Sequence, residues 1–413
     1  MSADPAETAN RASLLMSPVL IATQLSSAGS GSEEALGASI GEWADDCAKT
    51  VGKFLWAEMR GDKAAAERFA QELKKSECDP HWEECLRKYL EYKATGGKFP
   101  YRRDEDHVVE VTDPVRIALV GDWGTGEEVA IRVLKSAQQL KPDLLLHLGD
   151  IYYSGTDEEM KRNFLGPCRG IFGQQFPLFS LCGNHDMYSG GDGYYALLDA
   201  IGQRASYFCL RNKNWQLLSM DTGHNDRDPL TVATNMTSLN ATEIPWHMNQ
   251  ILKPEGRRTI LCSHHQLFSA FGSVGKIDGA EYAYNPELHS AFEKVFDKIE
   301  WWFWGHEHTL AVYEPYMGLW RGRCVGCSAV PVFKDQQDYQ LNRKLKTQNP
   351  GVFPAWKAQA QLGIVGDDYA HAFAILALAD QKATVEYYQL NAQGSAELLW
   401  QESHDFAADP AVT

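Results

Sequence analysis

Five short motifs each stand directly behind an apolar, strand-like run: Gly-Asp-Trp-Gly (121–124), Gly-Asp-Ile-Tyr-Tyr (149–153), Gly-Asn-His-Asp (183–186), Ser-His-His (263–265) and Gly-His-Glu-His (305–308). The runs before them are 115–120, 144–148, 177–182, a shorter one at 259–262, and 301–304. Runs this apolar suit strands buried on both faces, and layered α/β folds gather ligands beyond the carboxyl ends of such strands. A lone Gly-Asp reads as a turn whose carboxylate bonds its own backbone. Tyr153 alone reads as a packing aromatic, since Tyr152 is adjacent and one of the two must face inward. Gly-His-Glu-His favours a metal even alone, because paired histidines behind a buried strand have few structural uses. Together the motifs offer carboxylate, phenolate, amide and imidazole donors in the proportions two adjacent metal ions need. Glycines before Asp122, Asp150, Asn184 and His306 permit sharp turns off strand ends.

On these motifs the chain resembles the calcineurin-like metallophosphoesterase superfamily, over residues 115–388. Most of that superfamily begins with Asp-x-His, but here Gly124 stands in the histidine's place. The purple acid phosphatase branch also lacks that histidine and has a tyrosine three residues after the bridging aspartate. Tyr153 follows Asp150 at that spacing. Oxygen donors suit hard cations, so exchanging imidazole for phenolate favours Fe(III).

The resemblance implies two metal sites. Asp122, Asp150, Tyr153 and His308 bind one, Asp150, Asn184, His264 and His306 the other, with Asp150 bridging. It prefers His264 to His265 as the ligand, because His264 comes first after the strand. Fe(III) is paired with a divalent ion (iron, zinc or manganese). The reaction implied is hydrolysis of phosphate monoesters by a metal-bound hydroxide. His185 is the implied proton donor, with Asp186 orienting it, His265 a second outer candidate and His224 a weaker third. A phosphodiesterase of the same superfamily, acting on cyclic nucleotides or lipid head groups, is the alternative enzyme. A non-catalytic relative that binds a partner is the alternative outside enzymes.

The fold expected is a four-layer α/β/β/α sandwich spanning 114–405, behind a helical segment 1–100 and a charged linker 101–113. Apolar steps of three and four from Leu36 to Phe54, a capping box at Ser30 and Glu33, a second helix over 62–75 and a third from Asp79-Pro80 to Gly96-Gly97 describe that segment. It reads as a stabilising appendage, with no partner indicated for it. Strands are expected at 115–120, 144–148, 177–182, 206–210, 216–220, 372–378, 384–390 and 397–401, and helices at 127–140 and 157–164. Insertions at 226–245 and 333–366 flank the site. Tyr339, Arg343, Lys344 and Lys346 offer a basic face there, although a solvated loop explains them as well. His147, inside a strand run, reads as a core histidine, and Cys324-Val-Gly-Cys327 as core strand rather than a redox or zinc pair.

With 39 basic against 55 acidic residues, the formal charge of −16 disfavours nucleic acid and anionic membranes as partners, and the small phosphorylated substrate that the resemblance implies would have to be drawn in by the metals themselves. No apolar run approaches the ~20 residues that span a bilayer. Residues 14–25 are interrupted by Pro18 and lack a basic cluster before them. With nine cysteines in no framework spacing, a cytoplasmic location is expected, against two sequons at Asn235 and Asn240.

Overall fold

A computed structural model describes residues 81–97, 99–102 and 107–407 apart from 230, 233, 335–338 and 349–352, together with Lys63, Ala65 and Arg68. The chain divides into two compact units, Met1–Lys98 with Asp228–Ala233, and Phe99–Arg227 with Thr234–Thr413. In the first, helix α1 (His81–Ala94) begins directly after Asp79-Pro80 and ends before Gly96 and Gly97, whose φ angles of 99° and 57° no longer fit a helix. Cys85 and Tyr89, four residues apart on it, are buried. The stripe from Leu36 to Phe54, its cap at Ser30 and Glu33, and most of the 62–75 helix lie outside the described residues.

The second unit is built on two sheets. Strands β1 (Val108–Glu110), β2 (Val115–Val120), β3 (Leu144–His147), β4 (Leu178–Ser180), β5 (Phe208–Arg211), β6 (Trp215–Ser219), β7 (Arg258–Cys262), β8 (Ile299–Trp304), β9 (Leu310–Val312), β10 (Gly322–Val325), β11 (Ala372–Ala379), β12 (Lys382–Leu390) and β13 (Ala396–Asp405) supply them. One sheet runs β1-β5-β6-β7-β8-β10-β9 and the other β13-β12-β11-β2-β3-β4. The β2, β3 and β4 pairings are parallel, as are β6, β7, β8 and β10, so the motif-bearing ends of these strands emerge along one edge of each sheet.

Alternation of side chains along the strands builds the layers. Ile117, Leu119, Leu144 and Leu146 of one sheet face Leu217, Ile260, Trp301 and Phe303 of the other in a shared core. The opposite face of the first sheet (Ala118, Val120, Leu145) packs on helices α2 (Glu128–Gln139), α3 (Gly166–Phe172) and α4 (Asp192–Ile201) through Val133, Leu134, Cys168 and Leu198. The opposite face of the second (Leu218, Leu261, Trp302, Trp304) packs on α5 (Ile244–Leu252) and α6 (Pro286–Phe292) through Trp246, Ile251, Leu288 and Phe292. This is the four-layer α/β/β/α sandwich expected. Strands buried on both faces have no room for polar alternation, which is why the sequence runs are apolar throughout.

Three expectations need correction. Segment 101–113 is not a bare linker: β1 pairs Val108 with Cys209 and Val109 with Leu210 at the sheet edge, and Tyr101 Oη donates to buried Glu243 at 2.9 Å. The valine pair hidden among its charges supplies the strand. The 157–164 helix is longer and changes type, from α (Asp157–Glu159) to π (Met160–Leu165) to α3. Tyr339 is no part of a basic face; it is buried, its hydroxyl donating to Leu310 O at 2.9 Å, and Lys344 pairs with Glu281 at 2.9 Å. Cys324 lies buried on β10, and Cys327 is buried just beyond its end. Among the described residues no helix is long and apolar enough to cross a membrane.

Candidate metal centre

The five motifs meet where the two sheet edges face each other. Asp122, Asp150 and His306 all adopt positive φ, at 52°, 73° and 63°. Non-glycine residues rarely accept that conformation, and its clustering at one spot marks a site built at some backbone cost. Backbones also approach closely: a Cβ on Gly183 would lie 2.1 Å from Asp150 Oδ1, and one on Gly149, at φ 104°, 2.5 Å from His264 Nδ1.

Four donors converge on one side. His264 Nδ1 donates to Leu148 O at 2.9 Å, which aims Nε2 inward. There Nε2 stands 3.0 Å from Asn184 Oδ1, 3.2 Å from His306 Nδ1 and 3.4 Å from Asp150 Oδ1, while His306 Nδ1 and Asn184 Oδ1 are 3.0 Å apart. Four lone-pair atoms share a space that one proton cannot satisfy, which is the donor arrangement a cation resolves. Burial alone would lower the His264 pKa, but Asp150 and Asp122 outweigh it and draw it up to about 9. A cation would take over that positive charge and release the proton. Burial and the neighbouring rings of His265 and His264 hold His306 well below the usual imidazole range, leaving its lone pair available. Burial opposes ionisation of Asp150, yet His264 and His185 keep its carboxyl well below the usual range.

On the other side, Asp122 Oδ2 accepts from His306 N at 2.7 Å and Oδ1 lies 3.4 Å from His308 Nε2. Asp122, Asp150 and His264 each bring a ligand atom within 4.8 Å of the others, joining the two sides into one buried cluster. The residues present fit a pair of metal ions.

One donor differs from the expected set. The phenol at Asp122 Oδ1 (3.0 Å) and His308 Nε2 (3.1 Å) belongs to Tyr152, which is buried, and not to Tyr153. Asp150, two residues before Tyr152, takes positive φ at this turn. Asn163 Nδ2 from the π segment fixes that turn by donating to Tyr152 O at 2.9 Å. Tyr153 is half-buried, its ring 6.1 Å from that of His185. Burial, then the Asp122 and Asp150 charges, push the Tyr152 phenol well above its usual range, so only a cation would make it a phenolate.

The outer residues are also rearranged. His185 sits beside Asn184, and its Nδ1 donates to Tyr153 O at 2.7 Å. Asp186, expected to orient that ring, instead accepts three backbone N–H groups, from Gly183 (2.7 Å), Asp150 (3.1 Å) and Ile151 (3.0 Å). Buried carboxylates answer exposed amides wherever a loop cannot close its own ladder. His265, expected as a catalytic group, has both ring nitrogens engaged, Nδ1 with Thr222 Oγ1 and Nε2 with Asp226 Oδ2, each at 2.9 Å. The His224 ring turns toward Tyr101, 4.9 Å away, and its backbone N–H donates to Asp221 Oδ1. His147 is a core histidine, fully buried, with Nδ1 3.1 Å from Ser180 Oγ. Sequence reading missed Tyr152, Tyr188, Thr222 and Asp226. Thr222 and Asp226 act by tertiary contact and carry no spacing signal, whereas Tyr188 stands only four residues from Asn184.

Residues 115–310 match the calcineurin-like phosphoesterase family model. No curated protein sequence matches the chain. Similar solved structures include GAP50, the anchor in the inner membrane complex of Plasmodium (13% identity, TM-score 0.46, 71% of this chain and 89% of that one). PhoD is similar at 9% identity and TM-score 0.45, over 71% of this chain and 70% of that one. Vps29 from Cryptosporidium parvum aligns at 13% identity and TM-score 0.33, over 71% of this chain and 100% of that one. The matched residues, 115–310, carry all five motifs, so the similarity to that family covers the candidate site as well as the strands behind it.

Proposed function

We propose that the protein is a two-cation phosphoric ester hydrolase acting on phosphate monoesters, of the purple acid phosphatase kind. The observation that carries this reading is the convergence of His264 Nε2, His306 Nδ1, Asn184 Oδ1 and Asp150 Oδ1 within 3.0–3.4 Å of one another or of His264, beside a second set of oxygen-rich donors. Asp150, Asn184, His264 and His306 would hold one cation; Asp122, Asp150, His308 and a tyrosine phenol the other. The second set is richer in oxygen and suits Fe(III), the first suits zinc, manganese or ferrous iron.

Bound there, a cation pair supplies Lewis acidity and a water acidic enough to attack phosphorus. The chain's own residues do the rest. Asp150 would offer its carboxylate to both cations, and its Oδ1 accepts from His185 N at 3.0 Å. His185 is the group placed to hand a proton to the leaving alkoxide. With Nδ1–H committed to Tyr153 O, Nε2 is the nitrogen that carries the transferable proton. Burial lowers its pKa, which favours giving that proton up.

The test is metal analysis of native protein with initial rates on p-nitrophenyl phosphate and on its bis ester. Two metal ions per chain and faster hydrolysis of the monoester are expected. Faster cleavage of the bis ester would reassign the chain as a phosphodiesterase. Cations bound without hydrolysis of either ester would favour a non-catalytic role.

A further inference from the structure

Beside the cation sites lies a polar frame to which the reaction assigns nothing. It is centred on His265, which is only 4% exposed. The backbone N–H of His265 donates to Thr222 Oγ1 at 3.1 Å, and the same hydroxyl lies 2.9 Å from His265 Nδ1. Asp226 Oδ2, as a carboxylate oxygen, accepts from Nε2–H at 2.9 Å, which leaves Nδ1 to accept from the Thr222 hydroxyl. Asp226 Oδ1 accepts from Asn235 Nδ2 at 2.7 Å, and the same amide reaches Asn225 O at 3.0 Å. Thr237 Oγ1 donates to Thr222 O at 2.6 Å, and fully buried Glu243 accepts from Asp221 N at 2.9 Å. Every polar group on the ring is thereby used. The ring face meets His306, with centroids 4.4 Å apart at 40°, and stands perpendicular to His264 at 4.8 Å.

We propose that His265 is a positioning residue: gripped by Thr222 and Asp226, it is the wall that sets the orientation of His306, and through Asp226 it ties Asn225 and Asn235 to the cation site of Asn184, His264 and His306. The proposal rests on the two-cation reading above. A ring nitrogen of His265 lies within 4.8 Å of ligand atoms of His264 and His306, but Asp226 and Thr222 hold its donors away from a cation. No proton passes through a ring committed at both nitrogens, so its loss acts through His306 alone. Partners of this kind behind a ligating imidazole are typically worth ~10–100-fold in metal affinity.

The experiment uses the full chain as wild type, Asp226→Ala, Asp226→Asn, Thr222→Val and His265→Phe. Nitrogen-15 spectra of the histidine rings are taken without metal. They are followed by zinc calorimetry and by initial rates on phenyl phosphate and p-nitrophenyl phosphate. We expect a neutral His265 protonated at Nε2 in the wild type. Asp226→Ala weakens one zinc site ~10-fold and leaves the other unchanged, and Asp226→Asn restores most of the loss. Rates on the two esters fall by the same factor. A ring protonated at Nδ1, or wild-type zinc affinity in Asp226→Ala, overturns the proposal. So does a loss confined to phenyl phosphate, whose poorer leaving group needs a proton. If Asp226→Ala does not fold, Thr222→Val interrogates the same ring from its other nitrogen. A wild type that neither binds zinc nor cleaves either ester refutes the hydrolase reading, while the metal-free tautomer still decides the frame.

Discussion

Tyr188 determines which way Asn184 faces: the amide nitrogen donates to Tyr188 Oη at 2.6 Å, which turns Oδ1 toward His264 and His306, each 3.0 Å away. An amide rotated by half a turn would point N–H groups at both imidazoles and repel a cation. Tyr188→Phe removes this contact to the amide nitrogen. We expect the zinc affinity of the Asn184, His264 and His306 site to fall ~5–10-fold, the equivalent of one hydrogen bond worth ~1 kcal/mol. Calorimetric titration checks it, and unchanged affinity would return Tyr188 to simple packing.

The tyrosine substitution is decided by colour. Iron-loaded protein should show a phenolate-to-iron absorption band. Because Tyr152 Oη is the phenol between Asp122 and His308, Tyr152→Phe should abolish the band and Tyr153→Phe should retain it. The opposite pattern would restore Tyr153 as the ligand.

Asp186 braces the loop that carries Asp150 and Asn184. Its loss strands the N–H groups of Gly183, Asp150 and Ile151 in a buried place. Asp186→Ala should cost ~3–5 kcal/mol of stability, read from urea unfolding, since each stranded donor costs ~1–3 kcal/mol before the loop relaxes. A cost near zero would mean water replaces the carboxylate.

His185 and Asp150 separate chemistry from assembly. His185→Ala should reduce turnover ~100-fold or more while cation content stays near two per chain, the range expected for a general acid. Asp150→Asn should deplete both cations together. Equal loss of turnover and metal in His185→Ala would move that residue into the coordination shell.

Acid should destabilise the protein through His147. Burial, opposed by the Asp150 charge, depresses its pKa from 6.5 to about 3. Below pH 6.5 the unfolded chain takes up a proton that the folded chain refuses. The contribution to stability is therefore complete above 6.5 and lost as pH falls toward about 3. By about pH 4.5 the loss should reach ~2–3 kcal/mol, and His147→Asn should flatten that slope whatever it does to baseline stability. Urea midpoints at the two pH values measure it.

The sequence by itself determined the sandwich and most of the donors. Apolar runs buried on both faces can only be inner strands, and motifs directly behind them are carried to the sheet edges by chain connectivity. Asp122, Asp150, Asn184, His264, His306 and His308 were legible for that reason, since each follows its strand within a few residues. Only the tertiary structure placed the Tyr152 phenol against Asp122 and His308. It alone gave Asp186 to backbone amides and joined His265 to Thr222 and Asp226, 43 and 39 residues away in the chain. Such pairings are set by how loops from different strands come together, and no local pattern encodes them.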